Sequence, residues 1–199
     1  APARERSIEL LRQLRIPDAD TVYGQFPHQL SGGMKQRIVI AMALAGEPDL
    51  IVADEPTTAL DVTIQAQIIQ ILVDLVRSRG LALMLITHDM GVVAQACDQV
   101  TVLYGGRVAQ SAPVAATFAH PAHPYTRALI GCIALAGQPR GSLKGIPGMV
   151  PSLAHHATGC RYHPRCERAQ PLCQDQVPPL RSVSTGVVAC HFALERNDG

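Results

Sequence analysis

The chain has 199 residues, enough for one domain with its own hydrophobic core, or for one domain and a small appendage. Apolar residues make up 47% of the sequence and charged residues 17%, which is typical of a folded protein and excludes a disordered one. The formal net charge of +1 argues against a protein that binds nucleic acid through its overall charge.

Neither a secretion signal nor a membrane span is predicted. No apolar segment follows residues 1–6, as it would in a signal peptide. The longest apolar runs, 38–45 and 81–86, are far shorter than the roughly 20 residues that a membrane-spanning helix needs. We therefore expect a cytosolic protein, or one that is held at a membrane through a partner.

Three helices are predicted in the N-terminal part of the chain. Segment 4–14 has apolar residues spaced as on one face of a helix. The apolar run 38–45 predicts a buried helix with Ser31 near its N-cap. A third helix begins at Asp61 and continues to about residue 79, because its isoleucines and leucines recur at helical spacing.

Short apolar strands are predicted between these helices and after them, at 50–53, 81–87 and 100–104, and the third is expected to turn at Gly105-Gly106 into 107–109. Strands that are apolar on both faces and alternate with helices predict a parallel α/β sheet covered on both sides. After about residue 112, Pro, Gly and His become frequent, and one helix is predicted near 125–135. We therefore predict a domain boundary at residue 112.

The first chemical signal is the acidic pair Asp54 and Glu55, which directly follows strand 50–53. Ligands of open α/β folds bind at such strand ends. One carboxylate can support the shell of a Mg²⁺ ion, and the next can orient or deprotonate an attacking water. The alternative interpretation is a pair of solvated acids before a turn at Pro56.

The second signal is the octapeptide from Leu30 to Arg37. Its glycines, Gly32 and Gly33, allow close approach to the backbone, and the free N–H groups at a helix start can bind phosphate. The alternative is an ordinary N-cap with a flexible entry loop.

Together these segments resemble the motifs of ABC-type ATPases. The octapeptide resembles the signature motif, and 50–55 resembles the Walker B strand. Thr58-Ala59-Leu60-Asp61 is similar to the D-loop, and Thr87-His88-Asp89 resembles the switch-histidine segment. The order and the separations of the four motifs also fit that family.

The resemblance implies a role for each matching residue. Asp54 would support Mg²⁺ through its water shell, Glu55 would be the catalytic base, and His88 would sense the γ-phosphate. Asp61 would lie at a dimer interface. The signature residues would bind the γ-phosphate of an ATP held mainly by the opposite subunit; they are Ser31, Gly32, Gly33 and Gln36.

A phosphate-binding loop is missing from this sequence. Such a loop needs Gly-x-x-x-x-Gly-Lys-[Ser/Thr], but the chain has only two lysines, Lys35 and Lys144, and neither follows a glycine. We therefore expect an incomplete P-loop NTPase fold, with the C-terminal half of an ABC nucleotide-binding domain over 1–112. We also expect exposed apolar edges, and no tight binding or hydrolysis of ATP by this chain alone.

The loop-rich extension, 113–199, resembles the tail of the ATP-binding subunits of di- and oligopeptide importers. The matching segments include His123–Leu129 and Gly159–Cys166. The resemblance implies uptake of peptides, or of nickel chelates, by an assembly with a second ATP-binding subunit and transmembrane permease subunits on the cytoplasmic face of the membrane. Two alternatives remain: a truncated, non-catalytic metal-binding interaction module, and a DNA-associated ABC ATPase, which lacks support because no heptad helix is present.

Four cysteines lie in the extension with the spacing C-x5-C-x6-C-x16-C: Cys160, Cys166, Cys173 and Cys190. This spacing is wider than that of common structural zinc sites and differs from ferredoxin patterns. The resemblance to some peptide-importer subunits implies a [4Fe–4S] cluster. Zinc, with His163 and His191 as reserve ligands, and plain reduced thiols remain the alternatives.

Overall fold

The chain divides into two compact units, an N-terminal unit, Ala1–His88, and a C-terminal unit, Asp89–Gly199. The computed structural model describes residues 2–58, 60–133, 145–150 and 158–194. Among these residues, no helix combines the length and the apolar character needed to cross a lipid bilayer. The domain boundary at residue 112 stays a prediction.

In the described part of the N-terminal unit, four α-helices and two strands follow one another, with a single 3₁₀ turn at Pro27–Gln29. They are α1 (Pro2–Gln13), α2 (Ala19–Val22), α3 (Gly32–Leu44), β1 (Leu50–Asp54), α4 (Val62–Arg79) and β2 (Ala82–Ile86).

Side-chain caps fix where the two longest helices begin. The Ser31 hydroxyl accepts a hydrogen bond from the Met34 N–H at 3.3 Å, and the Asp61 carboxylate accepts one from the Ile64 N–H at 2.9 Å. Such caps satisfy N–H groups that lack a partner within the helix. Helix α4 ends at Gly80, whose φ of 67° is in the left-handed region that favours glycine. The predicted helix starts are confirmed.

The core of the N-terminal unit lies where α1, α3 and α4 pack together. Its most deeply buried side chains are aliphatic and come from several segments: Leu14, Leu44, Ile68 and Leu72. Each contributes roughly 1.5–3 kcal/mol by leaving water.

Strands β1 and β2 pair in parallel, in a register that runs from Leu50 beside Ala82 to Asp54 beside Ile86. The parallel pairing expected from the sequence is confirmed. Because side chains alternate along a strand, Ile51 and Ala53 point into the unit and are buried, whereas Val52 points to the other face and is exposed.

The prediction that these elements are buried on all sides is wrong. Helix α3 buries only the face that carries Ile40, Ala41 and Leu44. The other face of α3 and one face of the two-stranded sheet leave large apolar side chains exposed: Val39, Met42, Leu50, Val52, Met84 and Ile86.

The C-terminal unit holds a four-stranded sheet in the order β3-β4-β6-β5, flanked by short helices. Its strands are β3 (Gln99–Tyr104), β4 (Arg107–Pro113), β5 (Arg181–Val183) and β6 (Gly186–Val188). Its described α-helices are α5 (Met90–Ala96), α6 (Val114–Ala119), α7 (Pro124–Gly131) and α8 (Pro171–Asp175).

The third predicted strand does not join the parallel sheet. It forms β3, which pairs antiparallel with β4. The cause is the two-residue turn at Gly105 and Gly106, whose positive φ values of 55° and 79° suit a tight hairpin. A hairpin forces its two strands to run in opposite directions.

The extension is more ordered than its composition predicts. It supplies β5 and β6, and Gln110 and Ser111 of β4 pair with Val188 and Val187 of β6. Besides the predicted helix, it also contains α6 and α8. The predicted helix starts at Pro124 and ends at Gly131. Part of the predicted range, 134–135, lies outside the described residues.

Candidate functional site

The carboxyl ends of β1 and β2 bring an acid and a histidine together. Because the two strands are parallel, the residues that follow them emerge at the same edge. The pairing continues one step beyond β1, since the Glu55 N–H donates to the Ile86 carbonyl at 2.9 Å. This bond places Glu55 beside the segment that leads to His88.

Glu55 and His88 are in direct contact. The His88 Nδ1 atom lies 3.0 Å from the Glu55 Oε1 atom. The His88 side chain is 83% exposed and the Glu55 side chain is 45% exposed. The contact is therefore open to water and contributes little to stability. Its significance is geometric, because it puts a histidine ring on one oxygen of a carboxylate at a strand end.

A third residue holds the other oxygen of the same carboxylate. The Thr58 hydroxyl donates to Glu55 Oε2 at 2.8 Å, and the Thr58 N–H donates to the Glu55 carbonyl at 3.1 Å. The Thr58 hydrogen bond is the largest cause that lowers the pKa of Glu55, and the His88 contact is the next. Both stabilise the charged carboxylate, the form that can accept a proton.

The backbone of Glu55 is itself unusual. Its φ of 43° lies in the left-handed region, where residues with a Cβ are disfavoured. Such a conformation costs about 1–3 kcal/mol and is most common at functional sites. The buried Pro56 follows, and the turn closes at Thr58.

Asp54 is the last residue of β1 and is exposed beside the paired Ile86. It presents a carboxylate at the strand edge, one position before Glu55. A role in binding Mg²⁺ stays a prediction.

The signature residues lie at the start of α3, against the start of α4. A Cβ on Gly33 would lie 2.8 Å from Ile64 Cγ2, and one on Gly32 would lie 3.4 Å from Leu60 Cδ2. Close packing between the helices is therefore one physical reason for glycine at position 33.

The contacts of the signature residues with a phosphate stay predictions. Ser31 and Gly32 are exposed, whereas Gln36 on the second turn of α3 is half-buried.

Asp61 is exposed and caps α4. Its place at a dimer interface also stays a prediction. Ala59, within the D-loop-like segment, lies outside the described residues.

The four cysteines of the extension share one small cavity in the C-terminal unit. It measures about 20 Å³, and His163 and His191 also line it. The described part of the chain contains no disulfide bond. Burial raises the pKa of Cys160 and Cys166, and it raises the pKa of Cys190 to about 11, so the neutral thiol is favoured.

The predicted metal site finds no support in this geometry. Among the described residues, no three or more His, Cys, Asp or Glu side chains are arranged to hold a metal ion. A cavity of this size has room for about one water molecule, so the thiols as placed do not fit a four-iron cluster. The four cysteines line the same cavity, but their spacing in the sequence does not determine whether their sulfur atoms point toward a common centre.

The hydrogen bond from Thr58 to Glu55 was not predicted from the sequence. The available signal was a hydroxyl three residues after the acid, across a Pro turn.

Comparison with known proteins agrees with the motifs. Residues 2–58 match the family model "ABC transporter", and residues 111–173 match the model "Oligopeptide/dipeptide transporter, C-terminal region". The dipeptide transport ATP-binding protein DppD of Escherichia coli is 45% identical over 193 residues, which are 96% of this chain and 59% of that protein. The chain is therefore similar to ABC transporter ATP-binding proteins along 96% of its length.

Two further similar proteins are informative. The probable peptide ABC transporter ATP-binding protein y4tR of Sinorhizobium fredii is 49% identical over 95% of this chain and 57% of its own length. The structure of cbiO1 from Clostridium perfringens, part of the ABC transporter complex cbiONQ, has a TM-score of 0.53 at 33% identity and covers 58% of this chain and 45% of that one. The chain thus spans less than three fifths of the length of these curated relatives, DppD and y4tR.

Proposed function

We propose that this chain is part of the ATP-hydrolysing subunit of an ABC importer that takes up di- or oligopeptides. The observation that carries the proposal is the contact between Glu55 and His88 at the ends of two adjacent parallel strands. It is the arrangement that the family motifs imply, and the lowered pKa of Glu55 keeps the carboxylate able to take a proton.

The chemistry assigned to this site is hydrolysis of the terminal phosphoanhydride bond of ATP. A water oxygen forms a bond to the γ-phosphorus while the bond from that phosphorus to the bridging oxygen breaks. Glu55 accepts the proton of the attacking water, and His88 lies where it can contact the γ-phosphate. Asp54 offers the hard oxygen ligand that suits Mg²⁺, which when bound supplies positive charge to the phosphates.

The proposal includes a phosphate-binding loop that this sequence does not carry. The exposed apolar face of the β1–β2 sheet supports this, because Val52 and Met84 on that face are more than half exposed. The exposed signature residues Ser31 and Gly32 are free to contact an ATP bound by a second ATP-binding subunit.

The peptide cargo is proposed from the C-terminal extension, whose sequence matches a region named for oligopeptide and dipeptide transporters. Transmembrane permease subunits are the proposed partners, with this subunit at the cytoplasmic face of the membrane. Neither the geometry of the described residues nor the relatives support the other candidates. These are nickel transport, an iron–sulfur cluster, a metal-binding interaction module and a DNA-associated ATPase.

The test of the proposal is the substitution Glu55→Gln. It is made in a subunit in which this chain is joined to a phosphate-binding loop, and that subunit is assembled with its permease. The amide cannot take a proton, so ATP turnover is expected to fall by at least ~100-fold. Glu5→Gln, on the exposed surface of α1, is the matched control and should keep the turnover of the unsubstituted protein. Full turnover in the Glu55→Gln protein would contradict the proposal.

A further inference from the structure

Both oxygens of the Glu55 carboxylate have a side-chain partner. Oε1 lies 3.0 Å from Nδ1 of His88, and Oε2 accepts the Thr58 hydroxyl at 2.8 Å. A carboxylate held at one oxygen alone can rotate about its last bond, whereas one held at two has a defined plane. The roles implied by the family motifs include one for His88, but they assign no function to the contact between Thr58 and Glu55.

The turn between Glu55 and Thr58 fixes the position of the hydroxyl. The Glu55 N–H is tied to β2 through the Ile86 carbonyl, and the Glu55 carbonyl accepts the Thr58 N–H. Pro56 lies between them with a φ restricted by its ring. Thr58 is therefore anchored to the same strand ends as the acid, and its hydroxyl reaches Oε2 from a short, closed segment of chain.

We propose that Thr58 is a positioning residue for ATP hydrolysis, whose hydroxyl holds Oε2 of Glu55 so that Oε1 stays on the His88 side. This inference rests on the proposed function of Glu55 as the base. Thr58 itself does not touch the reacting atoms. It acts through Glu55, by fixing the plane of the carboxylate.

The chemistry of the side chain separates this role from a merely structural one. Valine has the shape of threonine without the hydroxyl, so Thr58→Val removes the hydrogen bond and keeps the volume. Serine keeps the hydroxyl and loses a methyl group, so Thr58→Ser keeps the hydrogen bond. Thr57→Val applies the same change one residue earlier and is the matched control.

The test measures ATP turnover against ATP concentration in the same assembled subunit used for Glu55→Gln. Thr58→Val is expected to lower kcat about tenfold, the effect of losing one hydrogen bond to a charged group, with KM for ATP unchanged. Thr58→Ser and Thr57→Val should both match the unsubstituted protein.

Two results would overturn this inference. One is a Thr58→Val protein with unchanged kcat. The other is a Thr58→Ser protein that loses as much kcat as Thr58→Val, which would show that the hydroxyl is not what matters. If either result is found while the Glu55→Gln protein is inactive, only the positioning role of Thr58 is rejected. If the Glu55→Gln protein is active, the proposed function itself is rejected.

Discussion

Gly159 is a described residue of the C-terminal unit where the backbone of another segment comes very close. A Cβ there would lie 2.4 Å from the Cys173 carbonyl oxygen and 2.6 Å from the Gln174 carbonyl oxygen. These are backbone atoms, which cannot swing away as a side chain can. The adjacent Cys160 N–H donates to the same Cys173 carbonyl at 2.8 Å, so the two cysteine-bearing segments are joined here.

Gly159→Ala is therefore expected to destabilise the protein by about 1–3 kcal/mol, as overpacking does in close-packed interiors. The measurement is the midpoint of urea unfolding, which should fall with an unchanged slope. Gly131→Ala is the matched control, because a Cβ on that helical glycine meets nothing within 4 Å. Equal midpoints for both variants would reject the steric account.

For single residues, the sequence predicts which side chains carry the chemistry of the site better than it predicts which side chains they contact. The placement of Glu55 and His88 follows from two apolar strands and their ends, and the structure shows the two side chains in contact. The Thr58 bond was not predicted, because a hydroxyl three residues after an acid indicates a possible bond but does not fix the turn that brings the two groups together. The cysteine spacing brought four thiols to one cavity, but their number alone does not make a metal site.

At the scale of the element, helix α7 begins with a buried histidine. His123 is 3% exposed, and its Nδ1 atom accepts the Tyr125 N–H at 3.0 Å, which caps the helix. Its own N–H donates to Gln110 Oε1 of β4 at 3.0 Å. Burial lowers the pKa of His123 to about 4, so the ring is neutral at neutral pH and keeps Nδ1 free to accept.

The lowered pKa of His123 predicts a loss of stability in mild acid. The unfolded chain takes up this proton below about pH 6.5 and the folded one only below about pH 4. The free energy of unfolding therefore decreases as pH falls between these values, by an amount on the order of 3 kcal/mol. Urea unfolding from pH 7 to pH 4 measures it.

Asparagine at position 123 can still cap α7 but has no proton to gain. His123→Asn should therefore remove this part of the pH dependence, and His120→Asn, at the exposed end of α6, should leave it in place. An equal decrease in His123→Asn and in the unsubstituted protein would reject the buried histidine as its source.

Elements were predictable where the local signal was strong. The caps Ser31 and Asp61 and the parallel pairing of β1 with β2 follow from the sequence. The direction of β3 did not, because the Gly105-Gly106 turn outweighed the α/β pattern. Strands β5 and β6 have three residues each, so pairing defines them: β6 pairs with β4, and β5 pairs with β6.

At the scale of the whole molecule, the proposed function assigns one side of an ATP site to this chain. The sequence has the signature-like segment, the acidic strand end and the histidine, but only two lysines, neither in the context of a phosphate-binding loop. The exposed apolar faces of α3 and of the β1–β2 sheet fit this proposal, because such apolar surfaces are suited to contact with further protein.

The most direct test is Mg²⁺-dependent ATP hydrolysis by the 199-residue chain, compared with a protein in which a phosphate-binding segment from a relative is joined before it. The account predicts no turnover above background for the chain alone. It predicts turnover for the joined protein that is lost on Glu55→Gln. Mg²⁺-dependent turnover by the chain alone, or a joined protein whose turnover survives Glu55→Gln, would contradict it.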